Sequence, residues 1–183
     1  VFSDNNGSNP ALDPDTFPFD EEGHTEEFDA IQALALDQQM RTRKVTLQDW
    51  DYKKRGSVSE NAPTVLEIGA DHGLERYRYP GGFVAQSGAG DAATGKHLSK
   101  VIMEAEESSH LRFNGDSQIR TLAPGHTFSL YDHPFDEFNV EYMVLAVWHH
   151  GRNNLLAAGG GGGGGDYGNE FTLQPHQTVY RAP

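Results

Sequence analysis

Two stretches of the chain hold residues whose types and spacing could do chemistry. Gly90-Asp91-Ala92-Ala93-Thr94-Gly95-Lys96-His97 fits the phosphate-loop pattern G-x-x-x-x-G-K up to its last position. There a Ser or Thr hydroxyl has to reach magnesium, and His97 is not a hard oxygen ligand. A phosphate loop also needs a buried parallel strand before it and βαβ units after it, whereas hairpin chemistry follows. The second candidate is the set His126, His133, His149 and His150 with Asp132, because zinc and iron sites draw on imidazole and carboxylate. Its spacing matches neither H-E-x-x-H nor a two-His, one-carboxylate triad, and adjacent His149 and His150 point to opposite faces of a strand. These histidines are expected to pack or to hydrogen-bond. Asp4-Asn5-Asn6-Gly7 begins like a calcium loop but lacks the further acids and the closing Glu, and there is no Gly-x-Ser-x-Gly elbow. The expectation is no catalytic, no cofactor-binding and no metal-binding residues.

The elements that carry these residues are mostly strands. In Leu122-Ala123-Pro124-Gly125-His126, Pro124 fixes φ and Gly125 tolerates positive φ, which makes a type II turn cheap. Phe128 and Leu130 then alternate with Thr127 and Ser129 until His133-Pro134, and Tyr142 to Trp148 reads as a buried strand paired back on the first. Lys44 to Asp51 is a further strand, ending in the basic turn Lys53-Lys54-Arg55-Gly56. Val65, Glu67 and Gly69 alternate with Leu66 and Ile68, and Leu74 to Tyr79 precedes the turn Pro80-Gly81-Gly82. Leu98, Val101, Ile102 and Ala105 fall at i, i+3, i+4 and i+7, which predicts one amphipathic helix over about 94–108, capped by Asp91 or Thr94. Beyond His110, Leu111 and Phe113 alternate, Asn114-Gly115-Asp116 predicts a turn, and Ile119 and Leu122 lead back to the Pro-Gly element. Residues 3–27 crowd Asp, Asn, Gly and Pro and are expected on the surface. Residues 28–40 fit a helical stripe slightly better than strand alternation. Seven glycines from Gly159 to Gly165 make 151–166 a flexible Gly-rich loop, with Tyr167 to Leu173 as the returning strand.

Arg120 and Leu122 before the Pro124-Gly125 turn, then Phe128, Leu130, His133-Pro134, Asn139, Glu141, Tyr142, Val147 and His149, together resemble the VgrG family, the spike proteins of the type VI secretion system. Val45 to Tyr52, Tyr79 to Phe83, Asn169-Glu170-Phe171 and Tyr180 to Pro183 extend the resemblance over nearly the whole chain. It implies a mainly β fold: an antiparallel β-barrel of the phage tail hub type with the one principal helix, and a strand within 28–40. It also implies a non-enzymatic structural part of a homotrimeric spike base, the second part of the hub-like module. That base sits on a ring of the tube protein Hcp. A spike-tip protein and effectors would attach through regions outside this chain. The location implied is the bacterial cytoplasm during assembly, then the medium or a target cell. The alternative is a small metal-dependent enzyme built on the histidines.

Composition narrows the remaining classes. At 183 residues the chain suits a single domain, and its opening on Val1 and close at Arg181-Ala182-Pro183 are those expected of an excised, partial one. The formal charge is −13, and residues 1–40 hold ten acids with no Lys or Arg, which argues against nucleic acid. No stretch approaches the roughly 18 apolar residues of a membrane-spanning helix. The absence of Cys excludes disulfides and thiol chemistry. Purified protein is expected to carry no stoichiometric zinc or iron and to bind no ATP in calorimetry; micromolar nucleotide binding or a retained metal would overturn that expectation.

Overall fold

A computed structural model describes residues 6–21, 29–67, 73–84, 92–152 and 166–181. The chain forms two compact units, one from Val1–Asp37 with Leu111–Thr178 and the other from Gln38–His110 with Val179–Pro183.

The first unit is a β-barrel. Its strands are β1 (Ala11–Pro18), β2 (Ile31–Gln38), β6 (Leu111–Ser117), β7 (Thr127–Tyr131), β8 (Glu141–Arg152) and β9 (Asp166–Pro175). They lie in the order β1-β7-β8-β9-β6-β2. The edges meet: Phe19, just past β1, bridges Ile31 in parallel, and Asp20 N donates to Ile31 O at 2.9 Å. The bridge curls the sheet so that its two outer strands meet at one point. β7–β8, β8–β9 and β6–β9 are antiparallel, while β1 runs parallel to β7. Phe17, Ile31, Phe113, Ile119, Leu122, Phe128, Leu130, Tyr142, Phe171 and Leu173 fill the interior. This is the mainly β, barrel-like fold of phage tail hub type that the resemblance implies, and Ile31–Gln38 form a strand rather than the helix favoured by periodicity.

The second unit packs one helix on a three-stranded sheet. β3 (Lys44–Asp51) is central, antiparallel to β4 (Gly56–Pro63) and parallel to β5 (Glu75–Arg78). Val45, Leu47, Asp49 and Asp51 point inward while Lys44, Thr46, Gln48 and Trp50 face out, the period-2 alternation of a half-covered sheet. Helix α1 (Ala92–Glu107) covers the inner face with Val45, Leu47, Ala62, Phe83, Val84 and Met103 as core. The Asp49 carboxylate accepts from Phe83 N and Val84 N at 2.8 and 3.0 Å, tying the 80–84 turn to β3. Glu107 Oε1 accepts from Thr64 Oγ1 and Val65 N, and Arg181 Nε donates to Glu104 at 2.8 Å, so Glu side chains of the helix hold two connecting segments.

Several expectations fail for identifiable reasons. The fully buried helix positions are Gly95, Ser99, Met103 and Glu107, not the stripe Leu98–Val101–Ile102–Ala105. Leu98 and Ile102 only flank the contact, because small residues at 95 and 99 let the helix backbone approach Phe83. Thr94 lies in the first turn of the helix, and Asp91, the other residue expected to cap it, lies outside the described residues. Of the strand expected near Val65–Gly69, residues 65–67 lie outside any strand, with Val65 86% exposed, and Ile68 and Gly69 lie outside the described residues; a strand precedes them at Gly56–Pro63. Residues 11–18 form a strand that their composition does not suggest; Leu12 and Phe17 are buried, while most of its other residues lie at the surface as expected. At the far end, β8 extends through Arg152 and β9 starts at Asp166, while the glycine run lies outside the described residues.

The clearest misreading is Asn114-Gly115-Asp116, which does not turn but runs straight through β6. A Cβ on Gly115 would stand 2.0 Å from Ala33 O and 2.7 Å from Phe171 Cζ. Glycine serves here for the close approach of a neighbouring strand, not for a hairpin. Gly115→Ala should therefore lose about 3 kcal/mol in urea denaturation; a loss under about 0.5 kcal/mol, the scatter of neutral surface changes, would mean that the two strands do not meet there.

Candidate functional site

The residues that the sequence reading singled out converge on the barrel's scaffolding. Gly125 has φ +81°, and His126 N donates to Ala123 O at 3.3 Å, which is the expected type II turn. Gly125 N donates to Val144 O at 2.8 Å, joining the turn to β8. Leu122, Phe128, Leu130 and Tyr142 point into the core, and burial pushes the Tyr142 phenol well above its ordinary range. Its hydroxyl donates to Phe138 O at 2.9 Å, so that polar group is not left unpaired.

His133 sits in a clamped loop. Asp132 has φ +61°, a conformation Asp tolerates better than most residues, and it reverses the chain after β7. His133 N donates to Asn139 Oδ1 at 2.9 Å, and Asn139 Nδ2 donates to His133 O at 3.0 Å. Phe135 N donates to His133 Nδ1 at 3.1 Å, which requires an unprotonated nitrogen there. The ring lies 4.3 Å from the Phe19 centroid and 4.8 Å from that of Phe138. His133 thus packs against the residue that makes the barrel seam.

A second network explains Asn169. Its side chain is buried, with Nδ2 donating to Ile119 O at 2.8 Å and Oδ1 accepting from Ser117 Oγ at 2.7 Å. Tyr167 OH lies 3.1 Å from Asn169 Nδ2 and 2.6 Å from His149 Nδ1, and the Arg120 guanidinium stands 5.6 Å over the Tyr167 ring. Glu141 pairs with His176 at 2.9 Å. Sequence reasoning named Asn169 without its role; a polar residue among apolar strand neighbours is the signal that would have found it.

The four histidines do not come together. His126 contacts Pro124 O, His133 belongs to the loop, His149 to Tyr167, and His150 lies against Gly168. Among the described residues no group of three or more His, Asp or Glu side chains is placed to hold a metal. Residues Ala92 to His97 of the phosphate-loop look-alike form the first turns of α1, with Gly95 against Phe83 and Glu60; Gly90 and Asp91 lie outside the described residues. Asn6 to Ser8 form a single 3-10 turn, and the earlier part of the calcium-like run lies outside the described residues. No helix among the described residues is long and apolar enough to cross a membrane. Charge is split between the units: the barrel segments hold 17 Asp and Glu against three Lys and Arg, the helix-bearing segments ten against eleven.

The curled sheet, with the Pro124-Gly125 turn, the His133 loop and the Asn169 network built into it, has the fold of a phage tail hub module. The chain belongs to the phage tail baseplate hub (GPD) family, whose model matches residues 1–155. It is 26% identical over 192 residues to the type VI secretion system spike protein VgrG5 of Pseudomonas aeruginosa and 27% over 194 residues to VgrG4b of the same organism. Each match covers all of this chain but only 24% and 23% of the relative, so the chain spans about a quarter of those proteins' length. The 43 kDa tail protein of prophage MuSo2 from Shewanella oneidensis shares the fold, with a TM-score of 0.57 at 8% identity over 94% of this chain and 44% of that one.

Asn139→Ala removes both halves of the loop clamp and should cost about 2–3 kcal/mol, since the backbone groups of His133 lose their partners. Asn139→Asp keeps the acceptor and should cost less. Equal losses for the two in chemical denaturation would show that only the donor matters.

Proposed function

We propose that this chain forms part of the trimeric base of a type VI secretion spike, the second part of its hub-like module, and acts as a structural element rather than an enzyme. The observation that carries this reading is the hub-family match over residues 1–155 joined to similarity with spike proteins along the whole chain. The geometry supports it: the motif residues spend their polar groups on the barrel's own turns and seam, and the rings of Phe19, Phe113, Phe138 and His133 lock the loop that closes it. In this role the base sits on a ring of the tube protein Hcp. The assembled spike helps to puncture a target cell, and a spike-tip protein and effectors ride on regions outside this chain. The assembly forms in the bacterial cytoplasm and is then released into the medium or the target cell.

A joint between tube and spike has to be symmetric, rigid and wide, which closed-symmetry oligomers of barrels provide. The longer protein is therefore expected to be a stable trimer by light scattering coupled to size exclusion, with these 183 residues alone monomeric or weakly associated. It should also retain Hcp in a pull-down. A monomeric longer protein refutes the spike reading.

A further inference from the structure

The outer surface of the barrel carries a row that its own fold does not explain. In the register of β6, β9 and β8, Asp116 stands directly opposite Glu170, and Glu170 directly opposite Trp148. Like charges placed opposite one another across a strand pair destabilise the sheet. Among the described residues neither carboxylate has an ion-pair partner. Trp148 is 61% exposed, although a strand residue of that size is ordinarily covered on one side. Together with Ala33, Ala35 and Gly115 these residues line a groove of about 410 Å³. Small residues leave the space, two carboxylates supply negative charge, and an indole offers a face for a cation.

The chain also holds the complementary charge. The β3–β4 hairpin ends in Lys53-Lys54-Arg55, three consecutive cationic residues, all exposed. Asp51 Oδ1 accepts from Lys53 N and Lys54 N at 2.9 and 3.1 Å, which stiffens the tip, and Arg55 holds a positive φ of 49° at its end. The surplus of acid in the barrel segments gives the attraction its direction.

We propose that the Asp116–Glu170–Trp148 groove is a docking site for the Lys53-Lys54-Arg55 hairpin of a second copy of this chain. The contact is heterologous, a groove on one copy receiving a hairpin from the next, which is the kind that closes into a ring when the rotation allows. Lys or Arg side chains lie between the two carboxylates with one cation over the indole, so the repulsive row becomes a neutralised one on association. This rests on the spike-base reading and deepens it by naming the surfaces through which copies meet.

Sedimentation equilibrium of the 183-residue chain at low salt tests the pairing with four samples: the natural chain, Asp116→Lys with Glu170→Lys, the triple variant Lys53→Glu, Lys54→Glu and Arg55→Glu, and the two variants mixed. Each variant alone should self-associate about tenfold more weakly or worse, and the mixture should recover association because Lys now lines the groove and Glu the hairpin. Trp148→Ala should weaken association as well, and added salt should weaken the natural contact. Asp116→Lys with Glu170→Lys exchanges one opposed like-charge pair for another at exposed positions, so its melting midpoint should stay near that of the natural chain and the groove variant remains a fair probe. Association that neither variant changes, no recovery on mixing, or no association of the natural chain at any concentration overturns the docking. A trimeric longer protein with those negative results removes this site and leaves the spike reading intact. A monomeric longer protein with positive ones does the reverse.

Discussion

The barrel depends on an unbroken chain of ring contacts that runs from its centre to its seam. Phe17 meets Phe128 edge-on at 5.6 Å, Phe128 meets Tyr142 at 6.1 Å, Tyr142 meets Phe113 at 5.1 Å, and Phe113 meets Phe138 at 5.2 Å. From Phe138 the contacts pass to His133 at 4.8 Å and on to Phe19 at 4.3 Å. Among the described residues, the bridge from Phe19 to Ile31 joins the outermost strands. Aromatic pairs in edge and tilted geometry each contribute about 0.5–1.5 kcal/mol beyond their burial. With one bridge among the described residues of the seam, the ring chain and the Asn139 clamp add to what holds the outer strands together.

This arrangement changes the meaning of the residues that looked chemical. An imidazole can ligate a metal or relay a proton, but it is also a flat ring with one acceptor nitrogen, and at His133 both properties are used locally. The same holds for Asn169, whose amide satisfies Ile119 O and Ser117 Oγ where three strands come close. Buried polar groups that are fully paired specify one register among several of similar hydrophobic content. For a part whose task is to hold shape, that specificity is the useful output.

The helix-bearing unit solves a different packing problem with the same device, small residues at the closest approach. A Cβ on Gly95 would already stand 2.9 Å from the Phe83 ring, and Gly115 plays the equivalent part in the barrel. Both glycines sit inside regular elements, where glycine costs about 0.5–1 kcal/mol in conformational entropy relative to alanine. That cost is offset by bringing a backbone within reach of an aromatic ring, a contact that a larger residue would hold apart. Charge is arranged at a coarser scale, with the acid concentrated in the barrel segments and the helix-bearing segments nearly balanced.

Strand content, the Pro124-Gly125 turn, the β7–β8 pairing, the returning strand after the glycine run and the presence of one long helix were all legible in the amino-acid order. Each depends on local φ preferences or on a period that neighbours in sequence already display. So was the family, through side chains whose spacing along β7 and β8 reflects a shared core. What tertiary structure alone decided involves partners far away in sequence. Asn114-Gly115 would serve a hairpin as well as a strand, and the approach of Ala33 O selects the strand. The helix buries Gly95 and Ser99 ahead of its larger apolar neighbours because the shape of Phe83, not hydrophobicity, sets the depth of contact. The seam between Phe19 and Ile31 and the opposition of Asp116 to Glu170 arise only once strands distant in the chain are laid side by side, since register is a property of pairs and a single strand does not contain it.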